Sequence, residues 1–148
     1  NAYTVWPMWR PALIALDLDD TLLNSEGRIS PRSRAAVQAA AQQGIRVVLA
    51  TGSMHHRACD FARELGISGP IISYNGALLR ESGGSRTYHH LPLWPEVAQE
   101  VLRFADQHGV HANVYVDDVL SSSSAASDVY KRQRLPSTLR HALEAGVP

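Results

Sequence analysis

An apolar run that ends in a cluster of carboxylates constrains this chain more than any other feature. The segment ALIALDLDDTLLN occupies residues 12–24, and its apolar part has the length of one β-strand. A strand that is apolar at nearly every position is typical of a parallel sheet covered on both faces. Because burying unpaired carboxylates is costly, we expect Asp17, Asp19 and Asp20 to lie in a polar pocket that holds a cation at the strand's end.

Asp17 and Asp19 are the candidate catalytic pair. Successive side chains of a strand point to opposite faces, so both carboxylates lie on one side if the extended conformation continues past the strand. One carboxylate can then attack an electrophile while the other gives and later takes a proton. A solvated acidic loop or a helix cap explains an isolated DxD sequence equally well.

A second predicted strand, at 45–50, ends in another group of polar residues. The order strand, helix, strand favours parallel pairing with the first strand through a right-handed crossover, with helices at 31–43 and 54–65. Ligands of open α/β sheets bind at the carboxyl ends of the strands, where Thr51 and Gly52 follow. The Thr51 hydroxyl and a glycine N–H can hold a phosphoryl oxygen there, and Thr51 is equally suited to cap the next helix.

Asn75 and Gly76 follow a third predicted strand at 71–74. Asn-Gly between apolar segments predicts a hairpin turn, with 77–80 as the returning strand. The turn lies at the same edge of the sheet as Asp17 and Thr51. We therefore expect the three strands to deliver their polar residues to one site.

These segments together resemble a known family. DLDDT at 17–21 resembles the opening DxDx[TV] motif of the haloacid dehalogenase superfamily, and its Cof-type phosphatase branch is similar at three further segments, SEGRIS at 25–30, GIRVVLATG at 44–52 and GPIISYNGALL at 69–79. The resemblance implies an α/β fold, a partial Rossmann-like three-layer core with the start of an inserted α/β cap. It also implies a small flap at 24–28 over the substrate.

The resemblance assigns roles to the candidate residues. It implies that Asp17 forms an aspartyl-phosphate, that Asp19 is the general acid and base, and that Mg²⁺ binds the Asp17 carboxylate and the Asp19 carbonyl. Thr51 matches the residue that binds the transferring phosphoryl group, and Asn75 with Gly76 matches a pocket segment. Cof-type sequences usually read T-G-R from this threonine onward, whereas this chain has Ser53 in place of the arginine.

The chain is predicted to contain three parts. Residues 12–82 form the first part of the core, 83–120 begin the cap, and 121–148 are a linker or foreign join with a tail. The segment SSSSAASDVYKRQR at 121–134 resembles translated adapter sequence, and a natural serine-rich linker is the alternative. In the second part we expect a strand at 86–91, a helix at 94–108 and a strand at 111–120 that contains Asp117 and Asp118 without catalytic role.

Two motifs of the resembled family have no match, namely its lysine and its late acidic residues. Lys131 is the only lysine of the chain, and its surroundings do not fit that role. Two functions therefore stay open. One is a Mg²⁺-dependent phosphatase of small phosphorylated metabolites, and the other is a catalytically incomplete module that binds phosphate and Mg²⁺.

Charge and cysteine content limit the partners. Lys and Arg total 14 and Asp and Glu total 14, so neither nucleic acid nor an anionic membrane is an expected partner, and the oligomeric state is not indicated. Cys59 is the single cysteine, which favours the cytoplasm and a packing role. His55 and His56 point about 100° apart on a helix, so we expect surface or pocket-rim histidines rather than joint metal ligands.

Overall fold

The computed structural model describes residues 10–84 and 86–123, and its contacts divide them into two units between Leu91 and Pro92. The first unit contains β1 (Leu13–Leu16), α1 (Pro31–Gln42), β2 (Arg46–Leu49), α2 (His55–Leu65), β3 (Pro70–Ser73), β4 (Leu78–Glu81) and β5 (Thr87–His90). The second contains α3 (Pro95–Gln107), β6 (Ala112–Val116) and β7 (Val119–Ser123). The predicted α/β class is confirmed, with most element boundaries within one or two residues of the prediction.

The first unit is built on parallel strands. β1 pairs with β2 in parallel, with Leu16 opposite Leu49, and a parallel bridge between Ala50 and Ile72 links β2 to β3. β4 and β5 extend this arrangement in antiparallel fashion, so the predicted hairpin after β3 is confirmed. The carboxyl ends of β1, β2 and β3 therefore meet at one edge.

Residues at the helix ends determine where α1 begins and where α2 ends. The Ser30 hydroxyl accepts a hydrogen bond from the Ser33 N–H at 3.0 Å, and Pro31 occupies the first helical position of α1. Gly66 ends α2 in the left-handed conformation with a φ of 70°. Both helices pack against the parallel strands and against each other over a core that includes the fully buried Leu18, Leu49, Leu65 and Ile71.

The prediction that β1 is covered on both faces is wrong for the described chain. Leu13 is 49% exposed, and exposed and half-buried residues alternate along β1. Within the described part of the first unit, α1 and α2 contact each other and so cover one face of the sheet. An apolar run indicates a strand, but it carries no information about which elements cover each face.

The second unit differs from the prediction in its strands. β6 and β7 form an antiparallel hairpin, and Asp117 and Asp118 make its turn with φ values of 50° and 64°. The single strand predicted at 111–120 is therefore wrong, and β7 continues past the predicted boundary at residue 120 to Ser123. Lys131 and the segment 124–148 lie outside the described residues. None of the described helices has the length and apolar character needed to span a bilayer.

Candidate active site

The loop after β1 exposes two carboxylates on either side of a buried residue. Asp17 continues the extended conformation, with φ −78° and ψ 157°, and Leu18 behind it is fully buried while Asp17 and Asp19 are exposed. The Thr21 hydroxyl lies 3.5 Å from Asp17 Oδ2, and the Leu23 N–H closes the turn on the Leu18 carbonyl at 2.9 Å. Both candidate catalytic carboxylates therefore lie on the solvent side of this turn.

A short ordered loop follows these carboxylates. Leu23 and Ile29 form an antiparallel bridge, which makes the base of the loop. The Asn24 side-chain oxygen accepts hydrogen bonds from the N–H groups of Glu26 at 3.0 Å and Arg28 at 2.9 Å. Residues 24–28 thus form a compact projection directly after Asp17 and Asp19, where the flap was predicted.

Thr51 is fixed beside the end of β1. The Ala50 N–H donates to the Leu16 carbonyl at 2.8 Å, and the Thr51 N–H donates to the Ile72 carbonyl at 2.9 Å. The Thr51 side chain is buried, 5% exposed, and its Oγ1 accepts a hydrogen bond from the Ser53 N–H at 3.0 Å. The hydroxyl therefore stabilises the loop that leads into α2, but it does not cap the helix, because the N-cap position is Met54.

The loop after β3 closes on the loop after β2. The N–H groups of Tyr74 and Asn75 donate to the carbonyls of Ser53 and Thr51, each at 3.2 Å. Tyr74 and Asn75 adopt left-handed conformations, with φ values of 52° and 55°. A Cβ at Gly52 would lie 2.8 Å from the Asn75 side-chain oxygen, so the absence of a side chain at Gly52 lets this amide approach. Gly76 completes the turn with a φ of 95°.

Two residues that the sequence analysis did not assign to the site connect α2 to Asp19. The Arg57 guanidinium donates to both Asp19 carboxylate oxygens, at 3.1 and 3.0 Å, and the Ser53 hydroxyl donates to Asp19 Oδ2 at 3.0 Å. Arg57 also donates to the Ser53 hydroxyl oxygen and lies over the Phe61 ring, 5.5 Å from its centroid. Ser53 lies in the loop before α2 and Arg57 in the first turn of the helix, so helical spacing in the sequence does not indicate the pair.

This contact shifts the protonation of both charged groups. The hydrogen bonds from the Arg57 guanidinium, aided by Ser53, hold the pKa of the Asp19 carboxyl below its ordinary value of 3.8. The hydrogen bonds to the Asp19 carboxylate in turn raise the pKa of Arg57 above its ordinary value. Asp19 is therefore ionised at neutral pH in this conformation.

A sequence profile of haloacid dehalogenase-like hydrolases matches residues 14–143. The chain belongs to this family. The match continues through the serine-rich segment at 121–134 that the sequence analysis had separated from the core. The predicted family resemblance is confirmed.

Individual relatives of this haloacid dehalogenase-like chain include Cof-type phosphatases. The phosphatase YwpJ of Bacillus subtilis is 34% identical over 108 residues, which cover 73% of this chain and 38% of YwpJ. The pyridoxal phosphate phosphatase YbhA of Escherichia coli is 28% identical, over 86% of this chain and 47% of YbhA. A crystal structure of a haloacid dehalogenase-like hydrolase from Bacteroides thetaiotaomicron superposes with a TM-score of 0.70 at 30% identity, over 80% of this chain and 46% of that one. The chain thus spans less than half the length of these relatives.

His55 is buried, whereas we predicted a surface or pocket-rim position for it. It is 5% exposed, and its Nε2 lies 3.3 Å from both the Glu81 carbonyl oxygen and the Cys59 sulfur. The start of α2 packs against the end of β4, which buries the first histidine and leaves His56 exposed. Cys59 packs against the core as predicted, so both residues belong to the scaffold of the site.

The described residues of this haloacid dehalogenase-like chain contain no cluster of three or more His, Cys, Asp or Glu side chains able to hold a metal ion. Asp17 and Asp19 stay predicted metal ligands. Oxygen ligands suit Mg²⁺, which is commonly held by one or two carboxylates together with water and substrate phosphate. The donor set fits Mg²⁺ in kind, with few protein ligands.

Proposed function

We propose that this chain carries the nucleophile of a Mg²⁺-dependent phosphatase that hydrolyses small phosphorylated metabolites through an aspartyl-phosphate. The single observation that carries the proposal is the junction of two strand ends, in which the Ser53 hydroxyl after β2 bonds to Asp19 after β1 at 3.0 Å. Relatives named as phosphatases of pyridoxal phosphate and of 5-amino-6-(5-phospho-D-ribitylamino)uracil support the class of substrate.

The two carboxylates divide the reaction between them. Asp17, exposed and extended, attacks phosphorus, and the ester bond to the leaving oxygen breaks. Asp19, once protonated, gives its proton to that oxygen. It then takes a proton from water, which attacks the aspartyl-phosphate, releases phosphate and restores the Asp17 carboxylate.

Mg²⁺ would be held by the Asp17 carboxylate and the backbone carbonyl of Asp19. The backbone carbonyl is the ligand that the family resemblance implies for Asp19, whose carboxylate oxygens are bonded to Arg57 in this conformation. When bound, the ion supplies positive charge against the phosphoryl oxygens.

The residues after β2 and β3 are proposed to hold the substrate. The Thr51 hydroxyl and the Gly52 N–H orient the phosphoryl group, and Asn75 with Gly76 borders the rest of the substrate. This assignment is supported by the contacts that join the two loops, since the Asn75 N–H donates to the Thr51 carbonyl at 3.2 Å. We also propose that the second unit begins the cap that selects substrates.

The cellular location is part of the same proposal. The chain has one cysteine, Cys59, which cannot form an internal disulfide. Small phosphorylated metabolites are abundant in the cytoplasm. We therefore place the activity there.

The experiment compares two carboxamide variants for Mg²⁺-dependent release of phosphate from p-nitrophenyl phosphate. Asp17→Asn removes the nucleophile, and we expect turnover to fall at least about 10³-fold. Asp20→Asn is the matched control, because it removes the same charge nearby and asparagine tolerates the left-handed φ of 57° at this position. Turnover by Asp17→Asn equal to that of the wild type rules out this nucleophile.

The second candidate function is a module that binds phosphate and Mg²⁺ without turnover. It is favoured by the lysine content of the chain, since Lys131 is the only lysine and its surroundings do not fit the role of the family's lysine. Calorimetric titration of the 148-residue chain with MgCl₂ and phosphate separates the two functions. Binding without phosphate release supports the module, and binding with release supports the enzyme.

A further inference from the structure

Asp19 is held by a positively charged group that the proposed reaction does not yet use. The Arg57 guanidinium forms two hydrogen bonds with the Asp19 carboxylate, at 3.1 and 3.0 Å, and the Ser53 hydroxyl adds a third at 3.0 Å. A proton-transfer group needs access to the leaving oxygen of the substrate. In this conformation both oxygens of Asp19 are turned to Arg57 and Ser53 instead.

The geometry of this contact is one that a phosphate group can also adopt. A planar guanidinium presents parallel N–H donors that fit two oxygens of a carboxylate or of a phosphate equally well. A serine hydroxyl beside the guanidinium adds a donor suited to the same oxygens. The Asp19 carboxylate therefore occupies a place that matches the shape and charge of a phosphate monoester.

We propose that Arg57 and Ser53 bind the phosphate group of the substrate, and that Asp19 occupies their donors until the substrate displaces it. This inference rests on the proposed phosphatase function. The Asp19 carboxylate is then released for proton transfer only when a phosphate group is present. Arg57 would then supply positive charge to the phosphoryl oxygens.

The surroundings of Arg57 set it apart from Arg63, the other arginine of α2. Its guanidinium lies over the Phe61 ring, 5.5 Å from the centroid, which holds it beside the candidate site while its side chain stays 40% exposed. Arg63 on the same helix pairs with Asp60 at 2.8 Å, but the Arg63 side chain is 75% exposed, about twice the value for Arg57. An ion pair as exposed as Arg63–Asp60 is expected to contribute little to the free energy of unfolding.

The test measures the affinity of the full 148-residue chain for inorganic phosphate by calorimetry at saturating MgCl₂. Arg57→Gln should weaken binding about 10-fold or more, and Arg57→Lys should restore part of it as a point charge. Ser53→Ala should weaken binding about threefold. Arg63→Gln, the matched arginine on the same helix, should bind phosphate as the wild type does.

A double-mutant cycle tests displacement itself. If Asp19 competes with phosphate for Arg57, Asp19→Asn should tighten phosphate binding about fivefold in the wild-type background and have no such effect in Arg57→Gln. An equal gain in both backgrounds would indicate simple charge repulsion and overturn the inference.

Two further outcomes separate this inference from the function on which it rests. If Arg57→Gln binds phosphate as tightly as the wild type while Asp17→Asn stops turnover, the inference fails and the phosphatase stands. If the wild-type chain neither binds phosphate nor releases it from an ester, both fail together.

Discussion

The edge of the first unit where β1, β2 and β3 end differs from helix α3 of the second unit in the contacts that its side chains make. At this edge, polar residues that follow the strands form hydrogen bonds with one another, as in the contact between Ser53 and Asp19 at 3.0 Å. Along α3, large apolar side chains are exposed instead, with Phe104 at 60% and Val101 at 53%. The first unit therefore contains the contacts that position its candidate site residues. We expect substitutions along α3 to leave phosphate binding unchanged.

The largest expected difference between the two regions is in stability. Val47→Ala in β2 removes a side chain that is 5% exposed and part of the core, and should lower the free energy of unfolding by about 2 kcal/mol. Val101→Ala makes the same chemical change in α3, where the side chain is 53% exposed, and should change it by less than about 0.5 kcal/mol. Urea unfolding followed by circular dichroism measures both. Equal losses would show that α3 is packed as tightly as β2.

A smaller effect is expected from closing the space at Gly52. The new Cβ of Gly52→Ala would lie 2.8 Å from the Asn75 side-chain oxygen, so the amide must move, and phosphate binding should weaken about 10-fold, or about 1.4 kcal/mol. Gly83→Ala, which meets no atom within 4 Å, is the control. In an Asn75→Ala background the Gly52 substitution should cost nothing further. A full additional loss in that background would show that Gly52 acts independently of Asn75.

The smallest effect is a pH dependence of stability at the Arg57 contact. Because the pKa of Asp19 is lowered by folding, this contact stabilises the chain above the ordinary aspartate pKa of 3.8 and loses that contribution as pH falls through the lower folded value. Arg57→Gln should therefore cost about 0.5 kcal/mol at pH 7, and progressively less as pH falls below the ordinary aspartate pKa of 3.8, measured by urea unfolding. In an Asp19→Asn background this pH-dependent part should vanish. Its persistence there would assign it to another group.

The order of the elements and the shared edge of the site could be predicted from the sequence. Ser30 and Pro31 mark the start of α1, and the alternation of strands and helices requires parallel pairing, which brings Asp17, Thr51 and Asn75 to one edge. These features depend on local residue chemistry and on a general rule of chain topology. Local residue chemistry and the topology rule can both be recognised in the sequence alone.

The remaining features depend on information that local patterns do not carry. Arg57 reaches Asp19 across 38 positions of the chain, a contact that exists only once α2 is packed on the sheet. The exposure of Leu13 depends on which elements cover β1, and an apolar run is silent on that point. Asp117 and Asp118 did carry a signal, since two residues that tolerate left-handed φ between alternating apolar positions favour a hairpin turn.

The most direct test of Asp17 as the nucleophile is to trap the aspartyl-phosphate chemically. The chain is mixed with p-nitrophenyl phosphate and MgCl₂, quenched in acid, reduced with borohydride at the acyl phosphate and digested for peptide mass spectrometry. The predicted result is a reduced side chain at Asp17 that requires Mg²⁺ and is absent from the Asp17→Asn variant. Modification at Asp19 or Asp20, or phosphate release with Asp17 unmodified, would contradict the assignment.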